Sequence, residues 1–386
     1  MNETYPLRKF IAPEFVFGTG ARRLISRYIR NFSARKVLLV TDPGVVAAGW
    51  ASETAEALAG DSIPCLIFSD VSSNPRDTEV MEGVRTFRDS QCDMIVAVGG
   101  GSPMDCAKGI GIVSSNGGHI LDYEGVDRIP LPCPPLVCIP TTAGSSADVS
   151  QFAIITATEQ NRKIAIISKT LVSDGALIDP EMLTTLSPEL TAHTGMDALV
   201  HAIEAYVSTA SSPVTDLFAL EAIRLIGAHL LEATRAPLDR ELRGHTMLAS
   251  LNAGLAFSNA SLGAVHAMAH SMGGLLDLPH GECNALLLSG VIDYNFDAVP
   301  GRYRDIASAF GVRTEGLSDA AVKERLIASI GALNTELGIP GRLGSIGVRK
   351  DSIASLAAHA LKDACMATNP RIPTPEGIES IYDRLL

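Results

Sequence analysis

Five residues in the middle of the chain have the types and spacing of a metal site. Asp197 and His201 are four positions apart, as are His266 and His270, and His280 follows just before a glycine. Residues four apart on a helix project from the same face. One carboxylate with several imidazoles is a donor set that suits a borderline divalent metal such as iron or zinc. The residues alone leave open which of the later histidines bind the metal.

Each histidine alone is weak evidence for a metal site, because a histidine at helical spacing is more often a surface residue or a hydrogen-bonded core residue than a metal ligand. Asp197 is stronger evidence for a metal site, because the segment around it is apolar and is predicted to form a buried helix. A buried carboxylate is costly unless it is paired or binds a metal. Two pairs at helical spacing within apolar helices therefore favour a metal site.

Two loops in the first half of the chain could bind a dinucleotide. Each follows an apolar strand-like run, and their candidate cofactor residues are Gly99, Gly100, Gly101 and Ser102 in the first loop and Thr141, Thr142 and Ser145 in the second. Glycines let backbone amides approach a pyrophosphate, and a following helix adds partial positive charge. The first loop is not a GxGxxG fingerprint and is a weak signal alone. Two such loops on one sheet favour a dinucleotide.

Asp42 and Asn74 complete the set of cofactor candidates near strand ends. An acidic residue at the end of the first strand can bond a ribose 2′-hydroxyl and repel a 2′-phosphate, so Asp42 predicts NAD rather than NADP. The alternative is that Asp42 only begins a turn with Pro43 and Gly44. Asn74 lies where the second predicted strand ends.

The elements that must position these residues change type along the chain. Up to about residue 186, short apolar strands alternate with helices, which predicts a doubly wound parallel sheet with a ligand at its carboxyl edge. The predicted strands are 36–41, 65–68, 94–98, 135–139 and 176–178, the helices are 51–59, 78–89 and 106–113, and a hairpin pairs 152–157 with 163–168.

Beyond the helix-start pattern Ser187-Pro188-Glu189 the sequence predicts helices only. The helical segments are 188–209, 213–234, 238–257, 261–275, 281–292, 301–310, 318–337, 350–362 and 375–385. The fold class is therefore α/β followed by all-α. We predict an NAD-binding domain at 1–186 and a metal-binding catalytic domain at 187–386, with the site in the cleft between them.

Composition narrows the class of partner. The chain has 386 residues, 46% of them hydrophobic, and a net charge of −12, which argues against nucleic acid or an acidic membrane. The seven cysteines form no CxxC pair, as expected of reduced thiols in a cytoplasm. Residues 1–13 lack the apolar segment of a secretory leader, so we expect a cytoplasmic protein.

With these motifs in view, the chain resembles the iron-containing (group III) alcohol dehydrogenases over about residues 10–386, and most of all their 1,3-propanediol dehydrogenase and bacterial ethanol dehydrogenase branch. The resemblance lies in several long motifs in the same order: Gly99–Pro103, Pro140–Gly144, Gly195–Leu199 with His201–Tyr206, Asn259–Gly263 with Val265–His270, Pro279–Gly281, Ala360–Cys365 and Asn369–Arg371. It implies a sheet domain and a helical domain in a dehydroquinate synthase-like architecture.

The resemblance also assigns roles. It implies metal ligands at Asp197, His201, His266 and His280, with His270 close to the metal and the nicotinamide as a catalytic proton relay. It implies NAD contacts from Asp42, both loops and Lys163, and iron as the metal, with zinc possible. It further implies a small alcohol or aldehyde substrate and a homodimer or larger homo-oligomer.

Three other functions are compatible with parts of the pattern. A zinc glycerol dehydrogenase is the alternative within the same superfamily. A lyase like dehydroquinate synthase would need a basic cluster for its acidic substrate, and the helices around Asp197 and His266 are apolar. A non-catalytic binding protein would not need both nucleotide loops and the ligand set. Four departures from the family's usual residues, some expected near the substrate pocket, leave the substrate open: Met104, Asp148, Ser258 and Ala264.

Overall fold

A computed structural model describes residues 7–386, and its centre is a six-stranded, all-parallel sheet. The strands in chain order are β1 (Glu14–Phe17), β2 (Val37–Val40), β3 (Cys65–Phe68), β4 (Met94–Gly99), β5 (Gly125–Val126), β6 (Leu136–Pro140), β7 (Phe152–Ala157), β8 (Arg162–Ile167) and β9 (Gly175–Ile178). Six of them pair in the order β1-β9-β6-β4-β2-β3. The predicted doubly wound sheet is confirmed.

Helices cover both faces of this sheet, which explains why its strands are continuous apolar runs. They are α1 (Ile25–Asn31), α2 (Pro43–Ala47), α3 (Trp50–Gly60), α4 (Asp77–Asp89) and α5 (Gly101–Asn116). Every residue of β2, β4, β6 and β9 is buried. Separate apolar cores fill the two faces, one including Ile110 of α5 and the other Ile29 of α1.

Two short strands were not expected from the sequence. Strand β1 pairs with β9 at the edge of the sheet and is mostly exposed, so it lacks the buried apolar run that marks the inner strands. Strand β5 has only two residues and joins the predicted hairpin β7–β8 in a second sheet of order β5-β8-β7. The hairpin turns at Asn161, whose φ of 47° is left-handed.

The second half is helical, as predicted. Its helices are α6 (Pro188–Val207), α7 (Pro213–Arg235), α8 (Arg240–Ala260), α9 (Ala264–Leu276), α10 (His280–Asn295), α11 (Pro300–Ala309), α12 (Asp319–Glu336), α13 (Ile353–Ala360) and α14 (Pro375–Leu385). The Ser187 side chain caps α6 by accepting from the Leu190 amide. The predicted helix 261–275 begins only at Ala264, because Ser261 takes a left-handed φ of 62°.

The two halves pack directly against each other beneath the cleft. Ile178 of β9 and Val149 share an apolar core with Leu251 and Leu255 of α8. A Cβ on Gly254 would lie 2.4 Å from the Ser146 Cβ, so α8 packs closely against the end of the loop that follows β6. Among residues 7–386, no helix combines the length and the apolarity that a bilayer crossing requires. Residues 1–6 lie outside the residues that the structure describes, and they are part of the segment 1–13 that was considered as a secretory leader.

Candidate active site

Three helices bring the predicted metal-binding residues together. Helix α6 carries Asp197 and His201 one turn apart, α9 carries His266, and His280 is the first residue of α10. The first three residues are at least 95% buried, and their candidate ligand atoms all lie within 4.8 Å of one another. His280 is partly exposed, and its Nε2 lies 3.6 Å from Oδ1 of the same carboxylate.

The separations within this cluster fit a bound metal better than direct hydrogen bonds. His266 Nε2 and His280 Nε2 each lie 3.6 Å from Asp197 Oδ1, and His201 Nδ1 lies 3.9 Å from Asp197 Oδ2. These distances exceed hydrogen-bond length. Four donors placed about 2.1 Å from one tetrahedral metal would lie about 3.4 Å apart. His201 Nδ1 is also buried without a hydrogen-bond partner, as expected of a ligand atom.

The charge states in the cluster also suit a metal. Burial would raise the pKa of the Asp197 carboxyl, but the imidazoles of His201, His266 and His280 outweigh burial and hold that pKa well below its usual range. Burial lowers the pKa of His201 to about 3 and that of His280 well below its usual range. The cluster therefore offers an ionised carboxylate and two neutral imidazoles, the forms that bind metals.

Glu204, one helical turn after His201, orients His266 and is a residue that the sequence analysis missed. Its carboxylate lies 2.7 Å from His266 Nδ1 and accepts from the backbone amides of Gly263 at 3.0 Å and Val265 at 2.6 Å. Burial lowers the pKa of His266, yet the neighbouring carboxylates of Asp197 and Glu204 outweigh burial and raise that pKa to about 9. One carboxylate thus caps α9 and fixes the ring of the ligand that α9 carries.

His270 stands beside this cluster, one turn after His266. Its Nδ1 lies 2.9 Å from Asp363 Oδ2, and its ring stacks on His280 with centroids 5.2 Å apart. Asp363 also accepts from the Cys365 amide at 2.8 Å. Burial opposes ionisation of Asp363, but His270 and these hydrogen bonds hold its pKa well below the usual range. Asp363 was missed because its pairing with His270 spans a long stretch of chain.

Two of the three glycines in the first loop let that loop contact the second one. A Cβ on Gly101 would lie 2.9 Å from Ser145 Oγ, and one on Gly100 would lie 3.0 Å from Thr142 Cγ2. Gly99 has a φ of 159°, and a Cβ there would lie 2.6 Å from Pro103 Cγ. Both loops therefore meet at the N-terminus of α5, at the carboxyl edge of the sheet. Backbone amides at a helix N-terminus favour a phosphate.

The other cofactor candidates have partners of their own. Asp42 Oδ1 accepts from the Val45 amide at 2.9 Å, so Asp42 does begin a helical turn while also lining the cleft. Asn74 Nδ2 donates to Asp277 Oδ1 at 2.7 Å across the cleft, from the sheet side to the end of α9. Lys163 of β8 lies in the cleft wall, where burial lowers the pKa of its ammonium group.

One cleft of about 1110 Å³ joins the two candidate nucleotide-binding loops to the histidine cluster. Its inner end carries apolar side chains near the metal candidates, with Phe257 stacked on His201 at 4.2 Å and Leu262 close by. Some of the four departures from the family's residues were expected near the substrate pocket, and none of the four is among the residues that line this cleft. All four are buried elsewhere, because they pack within cores or bind neighbouring loops: Met104, Asp148, Ser258 and Ala264.

The fold and cleft are those of a dinucleotide- and metal-binding oxidoreductase, and comparison with known families agrees. Residues 12–180 match the model of the iron-containing alcohol dehydrogenases, and residues 191–386 match that of the C-terminal part of the Fe-containing alcohol dehydrogenase family. The chain belongs to the iron-containing alcohol dehydrogenase family. This membership confirms the predicted class, a metal-dependent alcohol dehydrogenase or aldehyde reductase.

Two curated relatives match almost end to end. The 1,3-propanediol dehydrogenase of Klebsiella pneumoniae is 41% identical over 382 residues, covering 98% of this chain and 99% of the relative. The NAD-dependent methanol dehydrogenase of Bacillus methanolicus is 38% identical over 377 residues, covering 98% and 99%. Their names show that similar chains act on different small alcohols.

Solved structures show the same fold. A crystal structure of 1,3-propanediol oxidoreductase superposes with a TM-score of 0.96 at 40% identity, covering 99% of this chain and 100% of that one. The sulfoacetaldehyde reductase of Bifidobacterium kashiwanohense, solved in complex with NAD+, superposes with a TM-score of 0.88 at 28% identity, covering 98% and 99%.

Proposed function

We propose that this enzyme transfers hydride between a short primary alcohol or diol and NAD, using iron held by Asp197, His201, His266 and His280. The observation that supports this most is the single cleft that runs from the nucleotide loops to the histidine cluster. In this proposal residues 1–186 form the NAD-binding domain and residues 187–386 form the catalytic domain. The reverse reaction reduces the corresponding aldehyde.

NAD as the cofactor is supported from two directions. The Asp42 carboxylate lines the cleft, where it would repel the 2′-phosphate of NADP and accept from the ribose hydroxyl of NAD. The names of two similar proteins include NAD as a cofactor or bound ligand. In our proposal the pyrophosphate lies on the loops of Gly99–Ser102 and Thr141–Ser145, with Asn74 and Lys163 toward the ribose and nicotinamide.

The metal and the cofactor supply the chemistry that side chains lack. A divalent metal acts as a Lewis acid that lowers the pKa of an alcohol hydroxyl, and a nicotinamide accepts a hydride. The residues supply orientation, because Asp197 and the histidines are fixed on three helices. The same donor set suits zinc, which is our alternative metal.

We assign proton transfer to His270, with Asp363 as its positioning partner. If Nδ1 donates its hydrogen to Asp363, then Nε2 remains the acceptor for the proton that the substrate hydroxyl loses. The stacked ring of His280 holds the His270 ring in place. An asparagine at Asp363 would keep the size of the side chain and remove the charge that fixes this tautomer.

The inner end of the cleft supports a small, uncharged substrate. Phe257, Leu262 and the neighbouring Phe152 present apolar surface near the histidines. The cations among the residues that line the cleft are Arg76 and Lys163. This pair is too few for the polyhydroxy acid of a dehydroquinate synthase-like lyase, so that alternative is weaker than a zinc glycerol dehydrogenase.

The proposal also includes a cytoplasmic homo-oligomer. All seven cysteines are unpaired, as expected of a reducing compartment. Oligomer size is open to sedimentation analysis of the purified protein.

The test is NADH absorbance with protein stripped of metal and refilled with ferrous iron or with zinc. Primary alcohols, diols and aldehydes serve as substrates, with the double variant Asp197→Ala, His266→Ala as the control. We expect turnover that returns with one metal, prefers NAD to NADP and is absent from the control. Full metal-dependent turnover by the folded double variant would refute the proposed site, and NAD binding without net NADH formation would favour a lyase.

A further inference from the structure

Asn284 is a fully buried amide at the centre of the histidine cluster, and no motif pointed to it. It lies on α10, one helical turn after His280. Its Nδ2 donates to Asp197 Oδ1 at 2.6 Å and lies 3.1 Å from His280 Nε2 and 3.3 Å from His266 Nε2. It therefore contacts three of the four candidate ligands, which come from three different helices.

The negative charge of Asp197 determines which end of the Asn284 amide faces the cluster, the N–H group or the oxygen. At 2.6 Å from a carboxylate oxygen, an amide N–H makes a short charge-assisted hydrogen bond, whereas an amide oxygen would be repelled. The other end of the same side chain, Asn284 Oδ1, is buried without a hydrogen-bond partner. An unsatisfied buried acceptor destabilises the fold, so the amide is held in a position that folding alone does not favour.

We infer that Asn284 is a positioning residue that fixes the orientation of Asp197, the only anionic ligand candidate, for metal binding. When His266 and His280 direct their lone pairs to a metal, the bond from Asn284 to Asp197 is the one that the amide keeps. Asn284 shares α10 with His280 and bonds Asp197 on α6, so it also sets the spacing between those two ligands. The inference rests on the metal site of the proposed function and assigns Asn284 a role in metal affinity.

The test measures zinc affinity, with zinc as a redox-inert probe, by competition with a chromophoric chelator. The variants are Asn284→Ala and the similarly sized Asn284→Leu, which keeps the core filled if the alanine variant does not fold. Asn334→Ala is the matched control, because Asn334 also has an unpartnered Oδ1 and a single bond to α10, to the Ala285 carbonyl at 3.0 Å. We expect both Asn284 variants to bind zinc about 10- to 100-fold more weakly and the control to bind it normally.

Cobalt-substituted protein separates positioning from direct ligation. A positioning role leaves the coordination number unchanged, so the visible cobalt bands of the Asn284 variants keep their intensity while affinity falls. A large change in band intensity would show that the amide is itself a ligand and would overturn the inference, as would unchanged zinc affinity. Asp197→Ala distinguishes the two proposals, because normal zinc binding by that variant would refute the metal site itself.

Discussion

The two sides of the cleft are built on opposite principles. The helical side places residues such as Asp197 and His266 in a buried cluster, where their side-chain oxygen and nitrogen atoms are candidate metal ligands. The sheet side offers mainly backbone, and its glycines Gly99 and Gly101 matter for the atoms that they lack. The helical side should therefore lose metal binding when side-chain atoms are removed, and the sheet side should lose NAD binding when side-chain atoms are added.

The largest effect that we expect comes from Asp197→Ala. Removal of the carboxylate takes the one anionic donor from the cluster, so metal affinity should fall by more than about 1000-fold and turnover should be lost. Metal content after dialysis and initial rates measure both effects. NADH binding, followed by fluorescence, should stay within a few-fold of normal because the loops are untouched. Loss of NADH binding in this variant would show that the two sides are not independent.

Gly99→Ala adds one carbon to the sheet side. The new Cβ would lie 2.6 Å from Pro103 Cγ in a residue whose φ is 159°. Strain and overpacking should lower the free energy of unfolding by about 2–4 kcal/mol. Urea unfolding measures this change, and NAD binding should weaken as the loop shifts.

Gly60→Ala is the control for Gly99→Ala. Gly60 ends α3, and no atom lies within 4 Å of an added Cβ there. We expect this change to be neutral or to stabilise by up to about 1 kcal/mol. Equal destabilisation by both substitutions would contradict the packing argument for the first loop.

The comparison also shows which features a sequence reveals. Asp197 and His201 were recognisable because helical spacing places both on one face, and the apolar residues around Asp197 made it a buried carboxylate. The inner strands were recognisable because both of their faces are buried. These are local patterns, and a local pattern is visible in one stretch of chain.

Features that depend on tertiary contacts were not recognisable. Glu204, Asn284 and Asp363 owe their roles to partners on other helices, and no spacing rule connects them to those partners. Spacing alone also did not choose among His266, His270 and His280, since the packing of α9 against α10 decides which imidazoles face Asp197. Strand β1 was missed because an exposed edge strand needs little apolar sequence.

Glu204→Gln tests whether a residue outside the ligand set controls the metal. The amide group of glutamine would face backbone N–H donors that the carboxylate now accepts, and the ring of His266 would lose its anionic partner. We expect zinc affinity to fall about 10- to 100-fold. The chelator competition assay measures it, and Glu221→Gln on the exposed face of α7 serves as the control.

A second stacked histidine pair, His229 and His245, provides a comparison with the histidine cluster, and we expect the smallest effect there. His229 and His245, on α7 and α8, have ring centroids 4.0 Å apart, closer than the 4.3 Å between His201 and His266. Burial, and then the neighbouring His245, lower the pKa of His229. The carboxylate beside this pair belongs to the exposed Glu241, 3.9 Å from His245 Nε2, and not to a buried residue such as Asp197. We therefore expect His229→Gln to leave zinc binding unchanged.

The lowered pKa of His229 determines how protein stability changes with pH. Its folded pKa is lowered, so the unfolded chain binds the proton more readily, and stability is lost as the pH falls through the unfolded value of about 6.5. Solvent screening keeps this loss below about 0.5 kcal/mol. Thermal unfolding at pH 7.5 and 5.5 should therefore show a slightly smaller drop for His229→Gln than for the unsubstituted protein, with exposed His359→Gln as the control. A larger drop in the variant would mean that the stacked pair stabilises α7 against α8 even when it is protonated.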